Sequence, residues 1–173
     1  LMKGSIAVES EQGKGSTFYV GLAFGHAEPP EERNEPVNGP NAFALKKVLL
    51  AEDDEVNSLA ASMQVQGLGA QVTTVSNGRQ VLDALREQAY DLVLMDVQMP
   101  VMDGVEATRA IRRGEAGYDR RQVPIIAMTA FSMASDKQRF LAEGMDGYVA
   151  KPVGRNELMA VMQGVLKEAG GSY

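Results

Sequence analysis

The chain has 173 residues, 45% of them hydrophobic and 23% charged, with a net charge of −6, which is room for one ordinary domain and some additional segment. It has no cysteine, which excludes disulfides and thiolate metal sites and fits a cytoplasmic location. No apolar run of roughly 18 residues suggests a membrane span, no secretory leader opens the chain, and the acidic balance argues against nucleic-acid binding through phosphate neutralisation.

The first stretch that invites a chemical reading is EQGKGSTFYV, residues 11–20, which resembles a phosphate cradle. A P-loop requires Gly, four residues, then Gly-Lys-Ser/Thr ahead of a helix. Here Val8 stands where the first Gly should be, Gly15 separates Lys14 from Ser16, and a strand pattern follows. Alternation of Ile6 and Val8, then Phe18, Val20, Leu22 and Phe24, predicts a half-buried hairpin. Residues 26–41, HAEPPEERNEPVNGPN, contain four prolines and four glutamates and have linker composition. His26, the one histidine, sits at the start of this linker outside any helical pattern and reads as an ordinary exposed side chain. The expected division is a front piece over 1–25, a flexible linker over 26–45 and a main domain over 46–169.

Within that domain the hydrophobic period alternates. KVLLAED (47–53) reads as a buried strand ending in acids. Residues 57–69 predict a helix on which Leu59, Met63 and Leu68 share the apolar face. Residues 70–78 predict a strand closing on an Asn77-Gly78 turn, and 79–90 a helix with Val81, Leu82, Leu85 and Ala89 inward. Strands over 91–96, 123–130 and 147–152 alternate with helices over 104–113, 132–144 (Ser132 as N-cap) and 155–169. The cations Arg112, Arg113, Arg120 and Arg121 read as a solvated helix end. Five βα units with apolar strands specify an α/β fold, a parallel sheet covered by helices on both faces.

Doubly wound sheets bind ligands at the C-terminal ends of their strands. The first strand ends in Glu52-Asp53-Asp54 and the third in Asp96; if these strands are neighbours, several carboxylates share one crevice. Oxygen-only donors with room for water and phosphate suit Mg²⁺. The fourth strand delivers the hydroxyl of Thr129 and the fifth the ammonium of Lys151. A carboxylate nucleophile, a divalent cation, a hydroxyl and a lysine are the parts needed for phosphoryl transfer to aspartate. Taken singly, each residue has an ordinary reading as a turn former, strand residue or loop lysine. Their common position, each at the same end of a different strand, makes the set specific.

LLAEDDEVN, LVLMDVQMPVMDG, IIAMTA and GYVAKP resemble the signature segments of the response-regulator receiver family of two-component signalling. The resemblance covers residues 46–168 and implies a flavodoxin-like (βα)5 fold with strand order 2-1-3-4-5. It implies Asp96 as phospho-acceptor, with Glu52, Asp53, Asp96 and the main-chain carbonyl of Gln98 as holders of Mg²⁺. Asp54 is implied to cap a helix, Thr129 and Tyr148 to form a switch pair, Lys151 to be the site cation and Lys151–Pro152 to be a cis bond. Gln98 and Phe131 fall at two variable positions that tune dephosphorylation in the family.

The spelling looks most like receivers attached to hybrid sensor histidine kinases. Residues 4–24 resemble the final hairpin of the kinase ATP-binding domain, so the front piece is expected to be a remnant of that domain, disordered or packed opportunistically. Such a parent is compatible with membrane anchoring, although this segment itself is expected to touch neither membrane nor nucleic acid. The chain ends soon after the last helix, so output is expected through protein contact: with a histidine kinase domain, a histidine phosphotransfer protein, or a second copy of the chain. Two other enzymes fit less well. A haloacid-dehalogenase-type phosphatase expects Asp where Gln98 stands, and a dinucleotide-binding domain expects glycines where Glu52-Asp53-Asp54-Glu55 stands. A receiver-fold module acting without phosphorylation is the remaining alternative.

Overall fold

The computed structural model describes residues 4–11, 13–22, 43–130 and 134–170. The chain divides into two compact units, Leu1–Val37 and Asn38–Tyr173.

In the first unit β1 (Gly4–Glu11) and β2 (Gly15–Leu22) pair antiparallel, with Ile6 opposite Val20 and Val8 opposite Phe18. That register puts these four apolar residues on one face. The hairpin is therefore formed, but its inward-predicted side chains are exposed, Ile6 by 73% and Phe18 by 66%. Among the described residues of this unit no third element covers the apolar face of the two-stranded ribbon.

The second unit contains β3 (Lys47–Ala51), α1 (Glu55–Gln66), β4 (Gln71–Val75), α2 (Gly78–Glu87), β5 (Leu92–Asp96), α3 (Gly104–Arg113), β6 (Ile125–Thr129), α4 (Ala134–Ala142), β7 (Gly147–Ala150) and α5 (Arg155–Gly170). The five strands form one parallel sheet in the order β4-β3-β5-β6-β7. Counted within the domain, that is 2-1-3-4-5. Consecutive strand residues point to opposite faces, and each face has its own core. Leu49, Val93 and Ile125 pack with Val81, Leu85 and Ile111 of α2 and α3; Val48, Leu50, Leu94 and Ile126 pack with Val65, Leu158 and Met162 of α1 and α5. Burial on both faces explains why β5 and β6 are buried throughout, whereas the edge strand β4 is largely exposed and carries Gln71, Thr73 and Thr74. Among the described residues no helix is long and apolar enough to cross a membrane.

Two local expectations are corrected. On α1, Leu59 and Met63 are each 64% exposed, while Ala61 and Val65 are buried. Val56, Leu59, Ala60, Ala61, Met63 and Val65 distribute apolar groups around the helix, so periodicity alone does not select the inward face. Asn77-Gly78 is not a turn but a helix start. The Asn77 side chain accepts the Gln80 N–H, and Gly78 lets α2 approach the next loop, its N–H donating to the Met102 carbonyl at 2.9 Å. Ser132 and Phe131 lie outside the described residues.

Candidate functional site

The strand order makes β3 and β5 neighbours, so the acids that end them meet. Glu52 and Asp96 are buried, at 4% and 5% exposure, and Asp53 is exposed beside them. One carboxylate oxygen from each lies within 4.8 Å of the other two. Asp54 stands apart in role: it is the N-cap of α1, its side chain accepting the Asn57 N–H at 2.9 Å. This holds the acidic pair at the start of a rigid helix.

Lys151 follows β7 and reaches into the same crevice. Its Nζ lies 2.6 Å from Glu52 Oε2 and 2.8 Å from Asp96 Oδ2. Asp96 Oδ1 accepts the Gln98 N–H at 3.2 Å, and Glu52 Oε1 accepts from Asn57 Nδ2 at 3.4 Å. Burial pushes the Glu52 carboxyl up against the pull of the Lys151 hydrogen bond, and the negative charge of Asp96 adds to the rise. For Lys151 burial acts downward, but the hydrogen bonds to Asp96 and Glu52 outweigh it and hold the ammonium above its ordinary value. A single charged lysine is shared by two buried carboxylates; burial above all, and then the charge of Asp96, raises Glu52 despite its bond to that lysine.

The resulting pocket, about 210 Å³, is lined by Glu52, Asp53, Asp96, Gln98, Thr129 and Lys151 among others. Its donors are oxygen atoms in excess of the one ammonium, the chemistry that a small hard divalent cation satisfies. Thr129 is 2% exposed at the end of β6. Tyr148 does not line this pocket; it is half-buried on β7 opposite Ala127. Since Thr129 lies two residues beyond Ala127, Thr129 and Tyr148 share one face of the sheet on adjacent strands. The Lys151–Pro152 peptide is cis.

The model of the response regulator receiver domain matches residues 48–163 of the chain. The chain belongs to this family. This receiver is 39% identical over 133 residues to the sensor protein GacS of Pseudomonas syringae pv. syringae, a match covering 77% of the chain and 15% of its relative. It is 40% identical over 162 residues to the autoinducer 2 sensor kinase/phosphatase LuxQ of Vibrio vulnificus, covering 91% of the chain and 18% of LuxQ. The chain therefore spans less than a fifth of the length of these two relatives. Among solved structures, the receiver domain of the sensor histidine kinase PA1611 from Pseudomonas aeruginosa PAO1 is 40% identical with a TM-score of 0.64. That match covers 72% of this chain and 99% of that one, and the PA1611 structure has a magnesium ion coordinated in the active-site cleft.

Two residues around the receiver pocket were not singled out in the sequence. Asn57, in the first turn of α1, reaches back to Glu52; its signal was its place three residues after the capping Asp54, in the turn that directly follows the acids. Gly104 opens α3 where a Cβ would lie 2.2 Å from the Asp96 carbonyl oxygen. Its signal was the Asp103-Gly104 pair after the third strand: Asp103 forms a capping box with Glu106, and only glycine fits so close an approach.

Proposed function

We propose that this receiver is a Mg²⁺-dependent switch in which Asp96 accepts a phosphoryl group from a phosphohistidine. The observation that carries this reading is the Lys151 ammonium held between Glu52 and Asp96 in a pocket that also presents Asp53 and the Thr129 strand end. A carboxylate oxygen of Asp96 attacks phosphorus, the phosphorus–nitrogen bond to the donor imidazole breaks, and an acyl phosphate forms at Asp96. Lys151 holds the Asp96 carboxylate in place and offsets charge on the incoming oxygens. The Gln98 N–H fixes the other carboxylate oxygen. The three carboxylates and the Gln98 carbonyl would hold Mg²⁺, which supplies charge neutralisation for the transferred oxygens.

After transfer, the Thr129 hydroxyl is placed to engage the phosphoryl group. Tyr148, on the same sheet face one strand away, would follow it, biasing the α4–β7 surface between two states. The donor is a histidine kinase domain or a histidine phosphotransfer protein, and the chain works on the cytoplasmic side, where such donors are charged from ATP. Residues 46–169 form the receiver, 26–45 a linker, and 1–25 the end of a kinase ATP-binding domain. A module working without phosphorylation would have lost an acid or the lysine; here all of them line one pocket.

The test is incubation of the 173-residue chain with Mg²⁺ and a small phosphodonor, followed by intact mass. A phosphate-sized gain, abolished by Asp96→Asn and by chelation, is expected. An equal gain in Asp96→Asn would refute the assignment.

A further inference from the structure

The site depends on where the Lys151 ammonium sits, and the backbone that carries it is held from only one side by the sheet. The Lys151 N–H donates to the Thr129 carbonyl at 2.8 Å. Beyond it the chain leaves the sheet through Pro152, which has no N–H to offer. The contact that holds this departing segment comes from α1: Gln64 Nε2 donates to the Val153 carbonyl at 3.0 Å, across 89 positions of sequence. A second tie runs from Arg155 to the Gly67 carbonyl at the end of the same helix, at 3.0 Å.

The Gln64 amide has a defined orientation, because its NH₂ faces a carbonyl. Its Oε1 is consequently buried with no partner among the described residues. Such a group is unfavourable unless something is gained from the other half of the amide. Gln64 also lines a cavity of about 120 Å³ together with Glu52, Asn57, Lys151, Pro152 and Val153. The Val153 side chain packs against the core of that sheet face, and on the cavity side the backbone of the lysine segment is held by the hydrogen bond from Gln64.

We propose that Gln64 is a positioning residue for Lys151, a role that rests on the function proposed above for this site. α1 starts immediately after the acidic pair, capped by Asp54, and its third turn grips the segment that carries the lysine. One rigid helix thereby sets the distance between the carboxylates and their counter-cation. Loss of the Gln64 N–H leaves the acids in place and lets the ammonium drift.

The test uses the 173-residue chain with Gln64→Met, which keeps length and removes the donor. At saturating Mg²⁺ with phosphoramidate, the phosphorylation rate is expected to fall about tenfold, since a misplacement of about 1 Å is enough for such a loss. The Mg²⁺ dissociation constant should stay within about twofold, because ground-state cation binding does not use this contact. Gln64→Arg, which restores an N–H donor to the Val153 carbonyl, should recover most of the rate. The Lys151 ammonium signal, followed by ¹⁵N NMR, should shift in Gln64→Met and return in Gln64→Arg. A rate and an ammonium signal unchanged in Gln64→Met overturn the proposal, as does a folded Gln64→Arg as slow as Gln64→Met. Should Gln64→Met fail to fold, Gln64→Glu, with the same shape and no donor when ionised, takes its place. If the unsubstituted chain takes no phosphoryl group, the proposed function fails, and the ammonium signal alone still decides the role of Gln64.

Discussion

Replacing Gly104 by alanine measures how tightly α3 is pressed against the acceptor strand. An added Cβ would lie 2.2 Å from the Asp96 carbonyl oxygen and 2.9 Å from Met95 Cγ. Carbon–oxygen contacts seldom come closer than about 3.3 Å, so α3 and the end of β5 must separate by about 1 Å. That movement strains the bond from the Gly104 N–H to the Val97 carbonyl, now 3.1 Å. Overpacking costs about 1–3 kcal/mol and an impaired buried hydrogen bond about 1–3 more. The better helix propensity of alanine returns at most about 1 kcal/mol. The net expectation is a loss of about 2–4 kcal/mol, or about 8–16 °C in Tm for a domain of this size. Urea denaturation monitored by circular dichroism reads the loss directly, with an unchanged m-value as the control. A loss below about 1 kcal/mol with normal phosphorylation would refute the reasoning, because α3 would then be free to shift without disturbing Asp96.

Glu52 and Arg112 supply two further expectations. The raised Glu52 carboxyl means that its charged form opposes folding when no divalent cation is present. Its contribution is fully favourable below the ordinary value of 4.5 and is lost as pH rises through the higher folded value. Glu52→Gln should therefore stabilise the chelator-treated protein at neutral pH by about 1 kcal/mol and flatten that part of its stability–pH curve. It should also weaken the stabilisation given by Mg²⁺, measured by thermal melts with and without the cation; lower stability in chelator would sink this reading. Arg112, its guanidinium largely buried, donates to the carbonyls of Gly144, Arg121 and Val123 at 2.7–2.9 Å and pairs with Asp146 at 2.8 Å. Arg112→Ala should cost about 2–4 kcal/mol in denaturant, and Arg112→Lys should recover little of it, since a point charge cannot span the fork. Full recovery by lysine would show that charge alone matters there.

Arg112 also shows where composition misleads. Its arginine-rich surroundings in the sequence suggest a solvated helix end, yet it is the hub joining α3 to the loops before β6 and β7. Nothing local announces the carbonyls it will meet, because they come from segments 9 to 32 residues away. α1 teaches the same lesson for apolar residues. With apolar groups around much of its circumference, only the sheet and α5 decide that Ala61 and Val65 go inward and Leu59 and Met63 outward. Asn77-Gly78 has the composition of a turn, and its use as a cap with a close backbone approach depends on Met102, which belongs to another loop.

By itself the sequence determined the alternation of five strands and five helices and the acids, hydroxyl and lysine at the strand ends. Each of these depends on near neighbours along the chain, on period, on capping residues and on charge. The order of the strands came from resemblance, and tertiary structure alone placed β3 beside β5 and brought Lys151 across to Glu52 and Asp96. It alone left the apolar face of the hairpin exposed and carried the Gln64 amide to Val153. Those outcomes depend on which surfaces are left to meet after local structure has formed, a property of the packed whole that no local stretch of residues contains.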